Sequence, residues 1–254
     1  MRRIYIINGT SDSRFIIKRL RHDNYIISSA VTDEGIKKLS DLGIDAVKGP
    51  LDINEMMNLL KEKNIDLIID ASHPFAYSIS RTAMTVSEEL GIDYIRYERP
   101  SILYESTSTF SSYDEIADCL NRMKCRALIT TGIKNIDYIK NVIDKKNIII
   151  RVLPRPENIE RLINIGIPEK NIIAMEGPFT YELELAIMNN YNIECLVTKD
   201  NGDIEKIKAA LEKGIKILIL KRDNMEYKNV YNDINEIIKV VYNVKSRGNL
   251  QEKP

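Results

Sequence analysis

This sequence has almost no net charge: 37 lysines and arginines balance 37 aspartates and glutamates, for a formal charge of +0. That excludes a global electrostatic pull toward nucleic acid or an anionic membrane, so an anionic ligand must be held by a local cluster of cations. Long hydrophobic runs are also missing. No apolar stretch approaches the length of a membrane span, and the N-terminal "MRRIYIINGTSDSR" turns polar too soon for a signal peptide. The two histidines, His22 and His73, lie far apart, which removes a histidine-based metal site, and no metal is expected. The three cysteines (Cys119, Cys125 and Cys195) have no Cys-x-x-Cys spacing and read as reduced thiols of a cytoplasmic protein.

What is present fits a soluble globular chain: 254 residues, 44% hydrophobic and 29% charged, enough for one large domain or two small ones. Short Ile- and Val-rich runs without polar alternation recur at 3–8, 25–31, 45–49, 66–71 and 93–97. A second set lies at 127–131, 147–152, 171–176, 195–199 and 216–221. Such runs predict strands buried on both faces. Between them lie amphipathic segments. "DSRFIIKRLRH" sets Phe15, Ile16, Arg19 and Leu20 on one stripe, and "INEMMNLLKEK" does the same with Met56, Met57, Leu59 and Leu60. "AYSISRTAMTVSEELG" ends in a glycine suited to a helix C-terminus. The repetition predicts an α/β fold with parallel sheets covered by helices. It breaks once, at "ERPSILYESTSTFSSY" (98–113), which reads as a crossover between two halves. The expected domains are 1–103 and 104–245, followed by a polar tail, 246–254, with ligands bound beyond the carboxyl ends of the strands in a cleft between the halves.

The loops at those strand ends carry the chemistry. In "IINGTSDSR", Gly9 permits a tight turn, and Thr10, Ser11 and Asp12 precede a helix whose free amides and dipole suit a phosphate, with Arg14 adding charge. An ordinary helix cap, with Asp12 or Ser11 satisfying the first amides, explains the same residues. In "IIDASHPFAYSISR", Pro74 biases His73 away from helical geometry, leaving the imidazole beside Ser72 at a strand end. There it can donate a proton or a hydrogen bond, or simply tie down the loop. In the second half, "ITTGIKNI" (Thr130, Thr131, Gly132, Lys134), "EGPFTYELELA" (Gly177, Pro178, Phe179) and "LVTKDNGDIEKIKAA" (Thr198, Lys199, Asp200, Asn201, Gly202) each follow a strand and precede an expected helix. Each alone is plain turn chemistry; together they place hydroxyls and lysines along one edge.

Taken in order, "GTSDSR", "DASHPFA", "RYERP", "TTGIKNI", "RVLPRP", "GPFT" and "LVTKDNG" resemble the precorrin-6A reductase family of cobalamin biosynthesis, including its cobalt-precorrin-6A branch, over nearly the whole chain. The resemblance implies two Rossmann-like domains with a nicotinamide cofactor, NADPH or NADH, in the cleft, and reduction of one carbon–carbon double bond of a ring-contracted tetrapyrrole. The family's first loop is usually G-G-T-x-E-A-R. Here Asn8 replaces the first glycine and Asp12 the glutamate, and Ser72 stands where threonine is common. By this resemblance Gly9, Thr10, Ser11, Asp12 and Arg14 bind the pyrophosphate, Thr32 lies near the adenosine ribose, and Ser72 and His73 near the nicotinamide. Asp33 and Glu34 beside Lys37 and Lys38 leave the choice between NADPH and NADH open. Arg96, Arg99, Thr131, Gly132, Lys134, Arg151, Arg155, Gly177, Pro178, Phe179 and Lys199 are expected to contact the substrate, the arginines pairing with its carboxylates while Arg96 or Arg151 alternatively brace the domain junction. His73 and Lys199 are the expected proton donors, with Asp200 orienting Lys199.

Two other classes compete: a nucleotide-binding regulatory protein without turnover, and a corrin-pathway methyltransferase using S-adenosylmethionine. A short-chain alcohol dehydrogenase needs a Tyr-x-x-x-Lys pair, which "YELEL" and "YIKNV" lack.

Overall fold

The computed structural model describes residues 1–101 and 107–248. The chain opens with β1 (Arg3–Asn8), α1 (Ser11–Leu20), β2 (Tyr25–Ala30), α2 (Asp33–Ser40), β3 (Asp45–Lys48), α3 (Ile53–Glu62), β4 (Leu67–Ala71), α4 (Tyr77–Leu90) and β5 (Asp93–Tyr97). It continues through β6 (Thr107–Phe110), α5 (Tyr113–Met123), β7 (Ala127–Ile129), β8 (Ile148–Val152), α6 (Pro156–Ile165), β9 (Ile172–Ala174), α7 (Tyr181–Asn190), β10 (Cys195–Lys199), α8 (Glu205–Glu212) and β11 (Lys216–Leu220). Last come β12 (Val230–Tyr231) and α9 (Ile234–Gly248).

These elements form two compact units, one of Met1–Pro100 with the chain from Asn224 onward, the other of Ser101–Asp223. Each holds one six-stranded sheet, in the orders β3-β2-β1-β4-β5-β12 and β9-β8-β7-β10-β11-β6. All pairings are parallel. The first order is the 3-2-1-4-5-6 winding of dinucleotide-binding sheets, in which the strand order reverses beside the first strand; the second repeats that winding over β7 to β11, with β6, the first strand of its unit, in the sixth place. In each unit the sixth strand comes from a distant part of the chain.

Strand alternation builds the cores. On β1, Ile4 and Ile6 face a cluster with Ile16, Ile17 and Leu20 of α1, Leu39 of α2, and Ile237 and Val241 of α9. Tyr5 and Ile7 face the opposite cluster, with Met56 and Leu60 of α3 and Ala83 and Val86 of α4. In the second unit, Leu128, Ile149, Leu196 and Ile217 pack on Met188 of α7 and Ile207 of α8.

Several expectations change. The boundary expected at 103/104 lies outside the described residues, as does the tail from 249; α9 runs on to Gly248 through part of the expected tail. The chain from Asn224, expected to close the second domain, belongs with the first, because β12 pairs with β5 (Val230↔Arg96). The Ser/Thr-rich crossover contains β6, which pairs with β11. Phe15 is 48% exposed, and Ile17 takes its place on the buried stripe of α1. No α-helix follows "TTGIKN": Ile136–Asn141 is a 3-10 turn. Its buried Ile136 and Ile139, with Val142 after them, recur every third residue, the period of that helix.

Candidate active site

The strand order of the first sheet reverses between β1 and β4, whose register sets Ile7 beside Asp70 and Asn8 beside Ala71. The loops that follow these strands are therefore neighbours. A Cβ on Gly9 would sit 2.9 Å from the His73 amide nitrogen and 3.1 Å from the Ser72 Cα, so only glycine lets the backbones approach this closely. Thr10, rather than Ser11 or Asp12, is the N-cap of α1. Its hydroxyl accepts the Ser13 amide (3.3 Å) and donates to the Ala71 carbonyl (3.3 Å), so it ties the two loops together and is not free to donate to a phosphate. The Ser13 hydroxyl fixes the turn from within hydrogen-bond reach of both the Thr10 carbonyl (2.6 Å) and the Asn8 side chain, its one proton shared between them. The amides of Ser11 and Asp12 belong to the first turn, where no intrahelical acceptor exists.

Arg99, expected on the substrate, lies at this loop. It pairs with Asp12 (Nε–Oδ2 2.5 Å) and donates to Ser11 Oγ (3.2 Å). The acidic charge that would oppose a phosphate at the helix N-terminus is thereby balanced. Burial and the same carboxylate push the Tyr97 phenol up to about 12. Arg14 reaches the Thr10 carbonyl (3.4 Å).

Beneath the second loop lies a buried ion pair. Asp70 of β4 and Arg96 of β5 face each other in register and are both 0% exposed. Arg96, expected on the substrate carboxylates, is instead fully buried; its Nη1 donates to Asp70 (2.8 Å) and to Ser72 Oγ (2.9 Å), and its Nε to Glu98 (2.8 Å). Burial works against this charge, but Asp70 and Glu98 outweigh it and raise the guanidinium's pKa. Asp70 also accepts the Ser72 amide (3.0 Å) and the Tyr94 hydroxyl (2.8 Å). His73 Nδ1 accepts the Phe75 amide (3.2 Å), which assigns the neutral imidazole proton to Nε2.

Thr32 caps α2 by accepting the Gly35 amide (3.0 Å). Around it Glu34 pairs with Lys38, and Asp33 with Lys48, which sits beside Ala30 at the end of β2.

In the second unit the reversal lies between β7 and β10; Thr131, Gly132 and Lys134 follow β7, while Lys199 ends β10 and Asp200 comes directly after it. Burial, and then the charge of Lys134, lower the pKa of the half-buried Lys199. The Asp200 carboxylate pairs with Arg222 (3.2 Å) and accepts the Ser101 hydroxyl (2.8 Å). Thr131 is buried, with its hydroxyl 3.5 Å from that of Tyr138. Arg151 is buried in a bidentate pair with Glu184 (2.8 and 2.7 Å), its guanidinium 4.0 Å from the centre of the Phe179 ring. It thus supports the Gly177–Phe179 loop from below. Arg155 is exposed and caps no amide with its side chain.

The sequence reading missed Asp70, Tyr94, Glu98, Glu184, Lys206 and Arg222. Lys206, 2% exposed, pairs with Asp203 (2.7 Å), and burial lowers its pKa. One signal was available: Asp70 interrupts an otherwise apolar buried strand, "LIIDA". Among the described residues no group of three His, Cys, Asp or Glu side chains is placed to hold a metal, and no helix is long and apolar enough to cross a membrane.

Two parallel sheets, the first in the 3-2-1-4-5-6 order with a glycine-built loop and a helix N-terminus at its reversal point, define an α/β protein of Rossmann-like fold. A family model for "Precorrin-6x reductase CbiJ/CobK" matches residues 3–242, and the chain belongs to that family. It is 34% identical over 255 residues to a cobalt-precorrin-6A reductase of Methanocaldococcus jannaschii, covering 95% of this chain and 99% of that one. It is 32% identical over 250 residues to a cobalt-precorrin-6A reductase of Priestia megaterium, covering 94% and 98%. A solved structure, "CobK precorrin-6A reductase", superposes with a TM-score of 0.78 at 16% identity over 96% of this chain and 97% of that one, and shares its fold. The protein is accordingly an oxidoreductase of cobalamin biosynthesis, and its family implies a nicotinamide cofactor. The donors at the first reversal point fit such a group: two first-turn amides, the exposed Ser11 hydroxyl, and Arg14 with Arg99 beside a balanced Asp12.

Proposed function

We propose that this chain reduces one carbon–carbon double bond of cobalt-precorrin-6A, giving cobalt-precorrin-6B, with NADPH as reductant, in the cytoplasm. The observation that carries the reading is the contact of the Gly9 loop with the Ser72–His73 loop at the reversal point of the first sheet, in a chain of this family. The cobalt form is favoured because the relatives above 30% identity bear that name, whereas a precorrin-6A reductase of Mycobacterium tuberculosis is 28% identical.

The bound dinucleotide supplies a hydride; the residues of this chain bind, orient and protonate. Ser11, the amides of Ser11 and Asp12, and Arg14 hold the pyrophosphate, and Thr10 and Gly9 hold that loop against the next. Lys37, Lys38 and Lys48 outnumber Asp33 and Glu34 three to two around Thr32, and the exposed pairs among them are weak enough for a ribose 2′-phosphate to displace. Ser72 and His73 lie at the nicotinamide end. With Nδ1 engaged by the Phe75 amide, His73 donates a hydrogen bond through Nε2 and orients rather than protonates. Lys199 delivers the proton, since an ammonium with a lowered pKa is the better acid near neutrality. Lys134 and the exposed Arg155 take the substrate carboxylates, with Thr131, Gly132 and the Gly177–Phe179 loop shaping their surroundings.

The test adds cobalt-precorrin-6A and metal-free precorrin-6A separately to the purified protein with NADPH or NADH and follows nicotinamide absorbance. Faster consumption with the cobalt substrate and NADPH is expected. No consumption with either tetrapyrrole would end the reading, and tight binding of S-adenosylmethionine instead would point to a methyltransferase.

A further inference from the structure

The Asp70–Arg96 pair lies under the nicotinamide-end loop rather than in it, and its bonds converge on Ser72. Asp70 accepts the Ser72 amide, and Arg96 Nη1 donates to the Ser72 hydroxyl, so one ion pair fixes the amide and the hydroxyl of the residue preceding His73. Tyr94 clamps the second Asp70 oxygen at 2.8 Å, and Glu98 holds Arg96 Nε. The returning chain lays the centre of the Tyr227 ring 4.9 Å from the guanidinium carbon. Arg96 Nη2 is buried with no hydrogen-bond partner among the described residues.

A buried ion pair is a poor way to stabilise a fold, because an apolar pair of similar volume does as well or better. What it adds is direction. A guanidinium presents donors in a fixed plane, so the angle of Ser72, and with it the path of the chain into His73–Pro74, follows from the Arg96 plane. Gly9 completes the arrangement by pressing its own loop against the same two residues.

We propose that Arg96, with Asp70 and Tyr94, is the positioning residue for hydride transfer, holding Ser72 and the His73 imidazole at the orientation the reduced dinucleotide requires. The proposal rests on the functional reading above, which places the nicotinamide at this loop. Lysine at position 96 keeps the charge but cannot bridge Asp70, Ser72 and Glu98 in one plane. Phenylalanine at position 94 removes one hydrogen bond to Asp70 and leaves the ion pair in place.

The test measures kcat, dinucleotide affinity and the primary isotope effect with reduced cofactor deuterated at the transferred position, in wild type, Arg96→Lys and Tyr94→Phe. For Arg96→Lys, kcat is expected to fall by about tenfold to a hundredfold, as for a loop displaced by a fraction of an ångström to one ångström. Dinucleotide affinity should stay within about threefold, and the isotope effect on kcat should rise because the transfer step has slowed. Tyr94→Phe should show the same pattern more weakly. A merely structural role would lower the melting temperature and the yield of folded enzyme without changing the isotope effect. Should Arg96→Lys not fold, Tyr94→Phe decides. Unchanged kcat and isotope effect in the folded variants, with an active wild type, would overturn the proposal alone; a wild type that consumes no reduced cofactor would overturn the functional reading and the proposal with it.

Discussion

Gly9→Ala is the sharpest perturbation of the proposed site. The new methyl would meet the His73 nitrogen at 2.9 Å, the Ser72 Cα at 3.1 Å and the Ser72 carbonyl carbon at 3.4 Å. Comfortable separations between heavy atoms are about 3.5–4.0 Å, so one loop must withdraw by roughly half an ångström or more. All three obstacles are backbone atoms of one loop, and none can rotate away as a side chain tip would. Overpacking of this kind costs about 1–3 kcal/mol. At roughly 2–4 °C per kcal/mol for a protein of this size, the melting temperature should drop by about 2–12 °C. Opening the two loops also spreads the proposed pyrophosphate and nicotinamide ends apart, and NADPH should bind about tenfold more weakly in a fluorescence titration, equivalent to about 1.4 kcal/mol. Gly43→Ala serves as the control. Gly43 has φ +69° and, among the described residues beyond its chain neighbours, no atom within 4 Å of an added Cβ, so alanine there strains the backbone by about 1–2 kcal/mol but leaves NADPH affinity unchanged. Wild-type melting and wild-type affinity in Gly9→Ala would show that the two loops are not in contact, and the site would lose its foundation.

Other residues make separate predictions. Arg99→Gln leaves the Asp12 carboxylate unbalanced at the N-terminus of α1 and should weaken NADPH binding by about fivefold, while Asp12→Asn should leave it equal or tighter; calorimetric titration distinguishes the signs. Arg151→Met strands Glu184 as a buried charge and should cost about 3–5 kcal/mol in urea unfolding, whereas Arg151→Met with Glu184→Leu should recover most of it. Burial and Lys134 hold the Lys199 pKa below its ordinary 10.5, so the folded chain releases this proton at lower pH than the unfolded chain does. The associated loss of stability is complete below the folded pKa and is recovered as pH rises from there toward 10.5. Lys199→Met should therefore melt slightly higher than wild type at neutral pH, lack that alkaline recovery, and lose about a hundredfold in kcat.

The sequence determined the periodic parts of this protein. Unbroken runs such as "RIYIIN" and "KILILK" can satisfy their side chains only as strands covered on both faces, and the alternation with amphipathic helices then leaves parallel sheets as the outcome. The strand-end loops were legible for the same reason: Gly9, His73–Pro74 and Lys199 stand where such strands stop. Tertiary structure alone decided which side chains meet across the chain. Arg96 and Arg99 are three residues apart and look interchangeable as carboxylate ligands. Strand register buries the first against Asp70, while the chain beyond β5 carries the second to Asp12. The return of β12 to the first sheet was equally hidden, because a two-residue edge strand has no period to read and its partner lies more than a hundred residues away. Local pattern reports whether a residue is covered; only the assembled sheet fixes what covers it.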